Sequence, residues 1–197
     1  MSRKIKIGGI TYDITKQKLE DNNYIEVDQG NTRIILEKFC VPALRWQGLW
    51  LGVIWILDVT HNWRLKRRIY PLVHGITDVL ARNGDLRKTY MKGVLIGSLY
   101  YRVEHIANDQ MQAGVLSNCK DGVHAWGWIN HAQGVIKLNE EQSEQACWAT
   151  VWHEVIHGIS MDRDITIGEA LTESLAQSII QVLRDNPWAG AIQESKI

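Results

Sequence analysis

The sequence has few of the residues that mark specialised folds. Its 197 residues include only 3 cysteines, 3 prolines and 1 phenylalanine, and 22 Lys and Arg balance 22 Asp and Glu. The cysteines, at positions 40, 119 and 147, are far apart and form no CxxC pair. They favour reduced thiols in a cytoplasm over a disulfide framework or a thiolate metal site. An ordinary 45% hydrophobic fraction excludes collagen-like repeats and argues against intrinsic disorder.

Long hydrophobic runs are also missing. The most apolar run, residues 48–57, is about half the length that crosses a bilayer, and it ends at Asp58. The opening MSRKIKIGG is followed by a strand-like pattern, without the apolar region and small-residue cleavage site of a secretory signal. These features predict a cytoplasmic protein without a membrane partner.

The chain divides by texture into three predicted segments. Residues 1–37 alternate apolar and polar positions around Gly8-Gly9 and again around Gly30-Asn31, which predicts two pairs of N-terminal strands. Residues 38–122 have a helical pattern and an excess of basic residues, which predicts an insertion. Residues 123–197 form the third predicted segment.

Two boundaries in the middle segment predict its helices. Pro42 is typical of a first helical turn, and Asn83-Gly84 is typical of a helix end. Asp85 is a candidate N-cap for a long helix reaching toward Asn108.

Four tryptophans in the middle segment, at positions 46, 50, 55 and 63, precede the basic sequence RLKRR at 64–68. Aromatic rings stack on bases and basic side chains neutralise phosphate, so the stretch has one interpretation as a nucleic-acid surface. Tryptophans at helical spacing more often belong to a core, and a short basic cluster is more often a solvated face. The core interpretation is favoured here.

The last segment predicts a strand pair followed by two helices. HAWGWIN and GVIKLN flank a turn at residues 131–134. Asn139, with Gln142 three positions on, predicts the start of a helix that ends at Gly158. A loop at 160–165 leads to Thr166, which predicts a capping box with Glu169 and a final helix that ends at Asn186-Pro187.

The first of these helices contains an HExxH motif, His153, Glu154 and His157. A four-residue step places both imidazoles on one helix face, where one Zn²⁺ takes a nitrogen from each. Glu154 lies beside the metal without binding it, and it can accept a proton from a metal-bound water. The motif predicts a zinc site with Glu154 as general base. It makes residues 123–197 the predicted catalytic core, with residues 1–37 as the N-terminal strands of the same domain.

A third protein ligand is expected, with the fourth position left to water. The downstream candidates are Asp162, Asp164, Glu169 and Glu173. The two aspartates are in a connection where turn and capping roles are common, and Glu169 has a predicted capping role. Glu173 is flanked by apolar positions, where a metal would offset the cost of burying a carboxylate. We therefore expect Glu173 as the ligand, Glu169 as the alternative, and Gln177 as a residue that orients a ligand.

The last 75 residues and the opening KIKIGGITYDI resemble the compact zincin metallopeptidases of gluzincin type. These include the minigluzincins and the phage proteins related to the ImmA/IrrE peptidases. The resemblance lies in WGWINHAQGVIKLNEEQSEQACWATVWHEVIHGI and ALTESLAQSIIQVLRDNPW, where Glu173, Ala176 and Gln177 match the glutamate helix. It implies zinc ligation by His153 and His157, and the host cytoplasm as the location of a phage-encoded chain.

The resemblance implies an α+β fold in which a small mixed sheet packs on the HExxH helix and a glutamate helix, with an inserted, mainly helical segment. The leading hypothesis is a zinc metallopeptidase whose peptide substrate extends along the strand Val135, Ile136, Lys137 and Leu138. The alternative is a non-catalytic zincin scaffold whose basic, Trp-rich insertion binds nucleic acid or protein. His131 and His124 are near the strands, but a lone histidine is more often structural. The substrate, the physiological metal and the oligomeric state stay open.

Overall fold

The computed structural model describes residues 3–19, 23–84, 86–111 and 126–190, without the side chain of Arg87. Within these residues it is a mixed α+β structure with two four-stranded sheets and five α-helices. The strands are β1 (Arg3–Ile7), β2 (Ile10–Gln17), β3 (Ile25–Asp28), β4 (Arg33–Glu37), β5 (Val94–Ile96), β6 (Leu99–Ile106), β7 (Gly127–Asn130) and β8 (Val135–Asn139). The helices are α1 (Pro42–His61), α2 (Ile69–Asn83), α3 (Leu86–Thr89), α4 (Glu144–Asp162) and α5 (Glu169–Asp185).

The described chain forms two compact units. The first contains residues 1–77 and 178–197, and the second contains residues 78–177. The predicted domains at 1–37, 38–122 and 123–197 follow sequence texture and stay a prediction. None of the helices that the structure describes is both long enough and apolar enough to cross a membrane.

The first sheet, in the order β1-β2-β4-β3, confirms both strand pairs predicted for the N-terminal segment. β1 and β3 are antiparallel to their neighbours, while β2 and β4 run parallel. The inward positions of the alternating pattern, among them Ile5 and Ile34, are fully buried. Helix α1 packs on this sheet where Gly48 and Gly52 allow its backbone to approach.

The tryptophans of α1 confirm the core interpretation in part. Trp46 and Trp50 are buried, and the indole nitrogen of Trp50 donates to the carbonyl of Ala189 at 3.1 Å. Trp55, by contrast, keeps 39% of its surface exposed. The helix begins at Pro42 as predicted, and Asn62 ends it in the left-handed conformation.

The predicted long helix from Asp85 toward Asn108 is wrong, because β5 and β6 occupy residues 94–106. Gly97, with φ of 55°, makes the tight turn that pairs the two strands, and this turn signal outweighs the apolar pattern around it. Asp85 itself lies outside the described residues. Helix α2 does end at Asn83 as predicted, and the Asn83 amide bonds to the backbone of Leu95.

The second sheet has the order β5-β6-β8-β7, with β6 and β8 parallel and the outer pairs antiparallel. The predicted pair β7 and β8 is confirmed, and the amide of Gly134 closes its turn onto the carbonyl of His131. Helix α4 packs against β5, β7 and β8. This sheet and helix support the candidate site.

Three predicted helix boundaries need correction. Helix α4 begins at Glu144, where Ser143 accepts from the amide of Ala146 at 3.3 Å, while Asn139 ends β8. It continues past Gly158 to Asp162, and Gly158 serves close packing, since a Cβ there would lie 2.6 Å from Ile96 Cδ1. Glu169 is the first residue of α5 rather than its third, so α5 begins two positions later than predicted from Thr166 as its N-cap. The predicted end at Asn186-Pro187 is confirmed.

Candidate metal centre

Two imidazoles and one carboxylate converge at the start of α5. The Nε2 atoms of His153 and His157 are 3.0 Å apart. The carboxylate of Glu169 lies 3.1 Å from His153 Nε2 and 3.2 Å from His157 Nε2. Among the described residues these three form the one His, Cys, Asp and Glu group able to hold a metal ion.

The local fold explains the convergence. His153 and His157 are one turn apart on α4, so both rings point from the same face. After α4, the short connection ending at Gly168 reverses the chain, and Gly168 accepts the amides of Leu171 and Thr172 as α5 begins. Glu169, the first residue of α5, therefore faces the two rings.

The structure does not place Glu173, the expected third ligand, at this convergence point. Its Oε2 lies 3.0 Å from Nδ1 of His153, the ring nitrogen that faces away from His157. Its Oε1 accepts from the amide nitrogen of Gln177 at 3.0 Å. In the structure the alternative residue Glu169, which begins α5, joins the two imidazoles, and metal ligation by either glutamate stays a prediction. Gln177 lies where an orienting residue was expected.

Glu154 is buried on the sheet side of the HExxH helix, with 5% of its surface exposed. Its side chain lies under β7, where a Cβ added to Gly127 would be 3.0 Å from Oε1 and would overlap the methyl group of Thr150. Gly127 thus leaves the room that Glu154 needs. The backbone of Ile129 also hydrogen bonds to this carboxyl group.

Burial and neighbouring charge shift the acidities at the site. Burial, reinforced by the negative charge of Glu169, raises the pKa of Glu154 to about 8, and the Ile129 backbone opposes this rise. Burial also lowers the pKa of His157 below its ordinary value, although Glu169 acts in the opposite direction. The neutral imidazole is the form that coordinates a metal.

The group opens into a cleft of about 1310 Å³. Residues in and just before β7, at the end of α4 and in the connection to α5 line this cleft, including Trp126, Trp128, Met161, Ile165 and Ile167. β7 is an outer strand of the described sheet. The expected peptide edge at Val135, Ile136, Lys137 and Leu138 needs correction, because β8 is hydrogen bonded to β6 on one side and to β7 on the other.

His131 lines the same cleft, a position that the sequence did not assign. Its Nδ1 is 2.9 Å from the hydroxyl of Tyr101, and the two rings meet edge to face with an interplanar angle of 88°. Burial lowers the pKa of His131. The sequence signal was weak, since Tyr101 is 30 positions away, on a segment predicted to be helical. The other candidate, His124, lies outside the described residues, as does Cys119.

The donor set fits a zinc ion. Tetrahedral bonds of about 2.0 to 2.1 Å place neighbouring ligand atoms about 3.3 Å apart, close to the separations among the two Nε2 atoms and the Glu169 carboxylate. The two facing Nε2 atoms can share at most one proton between them. A metal cation can instead accept the electron pairs of both nitrogens at once. Comparison of the chain with protein-family models, with curated proteins and with solved structures finds no match.

Proposed function

We propose that this chain is a zinc-dependent metallopeptidase in which Glu154 is the general base. The observation that carries the proposal is the convergence of His153 Nε2, His157 Nε2 and the Glu169 carboxylate beside Glu154. The resemblance to compact gluzincins adds support. With it we propose that the second unit is zincin-like, with α4 as the active-site helix and α5 as the glutamate helix.

Three protein ligands would leave the fourth position of a zinc ion to water or substrate. A zinc ion bound there would lower the pKa of a water molecule to about 7 and polarise the scissile carbonyl group. Two histidines and one carboxylate also accept other divalent ions.

Glu154 is placed to move a proton between the attacking water and the leaving amine. Glu154 directly follows His153 in the chain, and its carboxyl group lies beneath β7 next to the backbone of Ile129. Without a cation it is protonated at neutral pH, since its pKa is about 8. A neighbouring positive charge favours the ionised form, which is the form that a general base needs.

The outer strand β7 is the proposed place of the substrate. An extended peptide that pairs with this strand would cross the cleft in front of the metal ligands and gain main-chain hydrogen bonds. Trp126, with 55% of its surface exposed, and Met161, with 63%, lie along the cleft and offer apolar contacts to side chains of the peptide. The proposal therefore favours peptides with apolar residues near the cleaved bond.

Metal content and one substitution test the proposal. Protein purified without chelator should contain about one Zn²⁺ per chain. Glu154→Gln should keep the metal and lose hydrolysis of a peptide library, read by mass spectrometry, by a factor of about 10² to 10⁴. Glu140→Gln, an exposed glutamate after β8, is the matched control. Less than a few tenths of a zinc per chain, or an active Glu154→Gln variant, would contradict the proposal.

The alternative, a binding protein that uses the Trp-rich segment, has less support. Base stacking needs exposed rings. Trp46 and Trp50 are buried, and the ring of Trp63 stacks on His61 with centroids 4.9 Å apart. Loss of retention on DNA or RNA as salt rises would favour this alternative, since phosphate contacts are salt-dependent.

A further inference from the structure

We propose that His131 donates a hydrogen bond from Nε2 to the substrate carbonyl oxygen as that oxygen gains negative charge, and that Tyr101 holds the ring for this task. The inference rests on the proposed peptidase function. It assigns the oxyanion-stabilising group, which is a requirement of amide hydrolysis separate from the metal ligands and from the base.

The position of His131 suits a contact with the reacting bond. His131 directly follows β7, the strand on which the peptide is expected to lie, and it lines the same cleft as His153, Glu154 and His157. It is also close enough to influence the pKa of His157. It is not a member of the metal-binding group of the described residues. His131 is thus near the reacting bond without being a ligand.

Tyr101 fixes the orientation of the His131 ring. The Tyr101 hydroxyl is 2.9 Å from His131 Nδ1, and Tyr101 itself has 2% of its surface exposed. When the hydroxyl donates to Nδ1, the ring proton of the neutral imidazole is on Nε2. Edge-to-face packing against Tyr101 fixes the ring plane. The buried tyrosine therefore leaves the ring a donor at Nε2, and we assign that donor to the cleft.

Two side-chain amides that also line the cleft are already engaged in hydrogen bonds. The side-chain amide of Gln142 donates to the carbonyls of Trp126 and Asn139. The amide of Gln177 donates to Glu173. Both amides are engaged in holding the site together. The imidazole of His131 is therefore better suited than either amide to a new hydrogen bond to substrate.

Enzyme kinetics are the first test. His131→Ala should keep its zinc and lose about 10² to 10³ in kcat, with a much smaller change in KM. His131→Gln keeps an N–H donor and should recover part of this loss, and Tyr101→Phe should lose less than His131→Ala. His105→Ala, an exposed histidine on β6, is the control. Unchanged kcat in a folded His131→Ala variant that retains zinc would overturn the inference.

Two further readouts do not depend on turnover. A peptide phosphonate, whose tetrahedral oxygens imitate the charged intermediate, should bind zinc-loaded His131→Ala weaker by the same factor as kcat/KM, measured by calorimetry. A planar peptide hydroxamate should lose little affinity. Nitrogen-15 NMR of the metal-free wild type should report the Nε2–H tautomer for His131, and a mixture in Tyr101→Phe.

The outcomes separate the two proposals. A wild-type protein that neither holds zinc nor cleaves peptides overturns the peptidase function, and this inference with it. A zinc-loaded, active wild type whose His131→Ala variant binds the phosphonate equally tightly overturns the inference alone. A His131→Ala variant that folds but loses its zinc also overturns it, because His131 would then act on the metal site.

Discussion

The Glu173 carboxylate lies 3.0 Å from Nδ1 of His153, on the opposite side of the ring from His157. A carboxylate in this position accepts the Nδ1 proton, so the electron pair of Nε2 points toward His157 and Glu169. Gln177 in turn holds Glu173 at 3.0 Å. We therefore propose different tasks for the two glutamates of α5: Glu169 would complete the donor set, and Glu173 would fix the orientation of one histidine.

Substitution of these glutamates should separate the two tasks. Glu169→Gln removes a charged donor, and the protein should lose most of its bound zinc. Glu173→Gln should retain the metal with an affinity weaker by about 10-fold to 100-fold, because only an orienting contact is weakened. Competition with a zinc chelator of known affinity measures both dissociation constants.

Glu140→Gln serves as the control for a change of one charge, since that glutamate is exposed outside the cleft. The reverse order, with Glu173→Gln losing the metal and Glu169→Gln keeping it, would restore the ligand first predicted from the sequence. Equal, small effects of both substitutions would argue against a metal site at these residues.

The sequence predicted the local parts of the site better than their assembly. The HExxH spacing predicted two imidazoles on one helix face, and His153 and His157 lie there. The choice between Glu169 and Glu173 depended on where α5 begins, and that boundary was predicted two positions too early. Boundaries are the weakest part of a prediction from one sequence because Ser, Thr, Asp and Asn all initiate helices.

Long-range pairings were outside the reach of sequence patterns. The sequence GVIKLN beside its turn correctly predicted a strand at Val135–Asn139, but the strand β6 that pairs with its second edge lies in a segment predicted as helix. The apolar run that leads into β6 is short, and a run of that length is compatible with a buried strand as well as with a helix. The pairing of Tyr101 with His131 was hidden for the same reason.

Gly127 should be intolerant of a side chain. A Cβ at this position would overlap the Thr150 methyl group and lie 3.0 Å from Glu154 Oε1, so Gly127→Ala must push α4 away from β7. Overpacking of this kind costs about 1 to 3 kcal/mol. Urea unfolding should report that loss in free energy together with weaker zinc binding. Gly30→Ala, where the nearest contact is 3.6 Å, is the control and should change little. An unaltered free energy of unfolding in Gly127→Ala would contradict the close packing.

The contribution of Glu154 to the stability of the metal-free protein should fall as pH rises from about 5 to 8. The pKa of Glu154 is raised by burial to about 8 in the folded chain, against an ordinary value of 4.5. Between these values the unfolded chain has released the proton and the folded chain has kept it, so stability falls by about 1.4 kcal/mol per pH unit at most. Glu154→Gln removes this slope. Urea unfolding with chelator at pH 5 and pH 8 should therefore find the variant more stable relative to wild type at pH 8. An equal difference at both pH values would contradict the raised pKa.

The two buried tryptophans of α1 should respond differently to the same substitution. Trp46 and Trp50 are both at most 1% exposed, so replacement by phenylalanine removes a similar volume from the core of the first unit. The indole nitrogen of Trp50 donates to the Ala189 carbonyl at 3.1 Å, whereas that of Trp46 has no hydrogen-bond partner in the described residues. Trp50→Phe leaves a buried carbonyl unpaired, which costs about 1 to 3 kcal/mol, and Trp46→Phe removes a donor that was already unpaired. Trp50→Phe should therefore be the more destabilising variant by about that amount in urea unfolding. Equal losses would mean that the bond between Trp50 and Ala189 contributes nothing to the stability of this core.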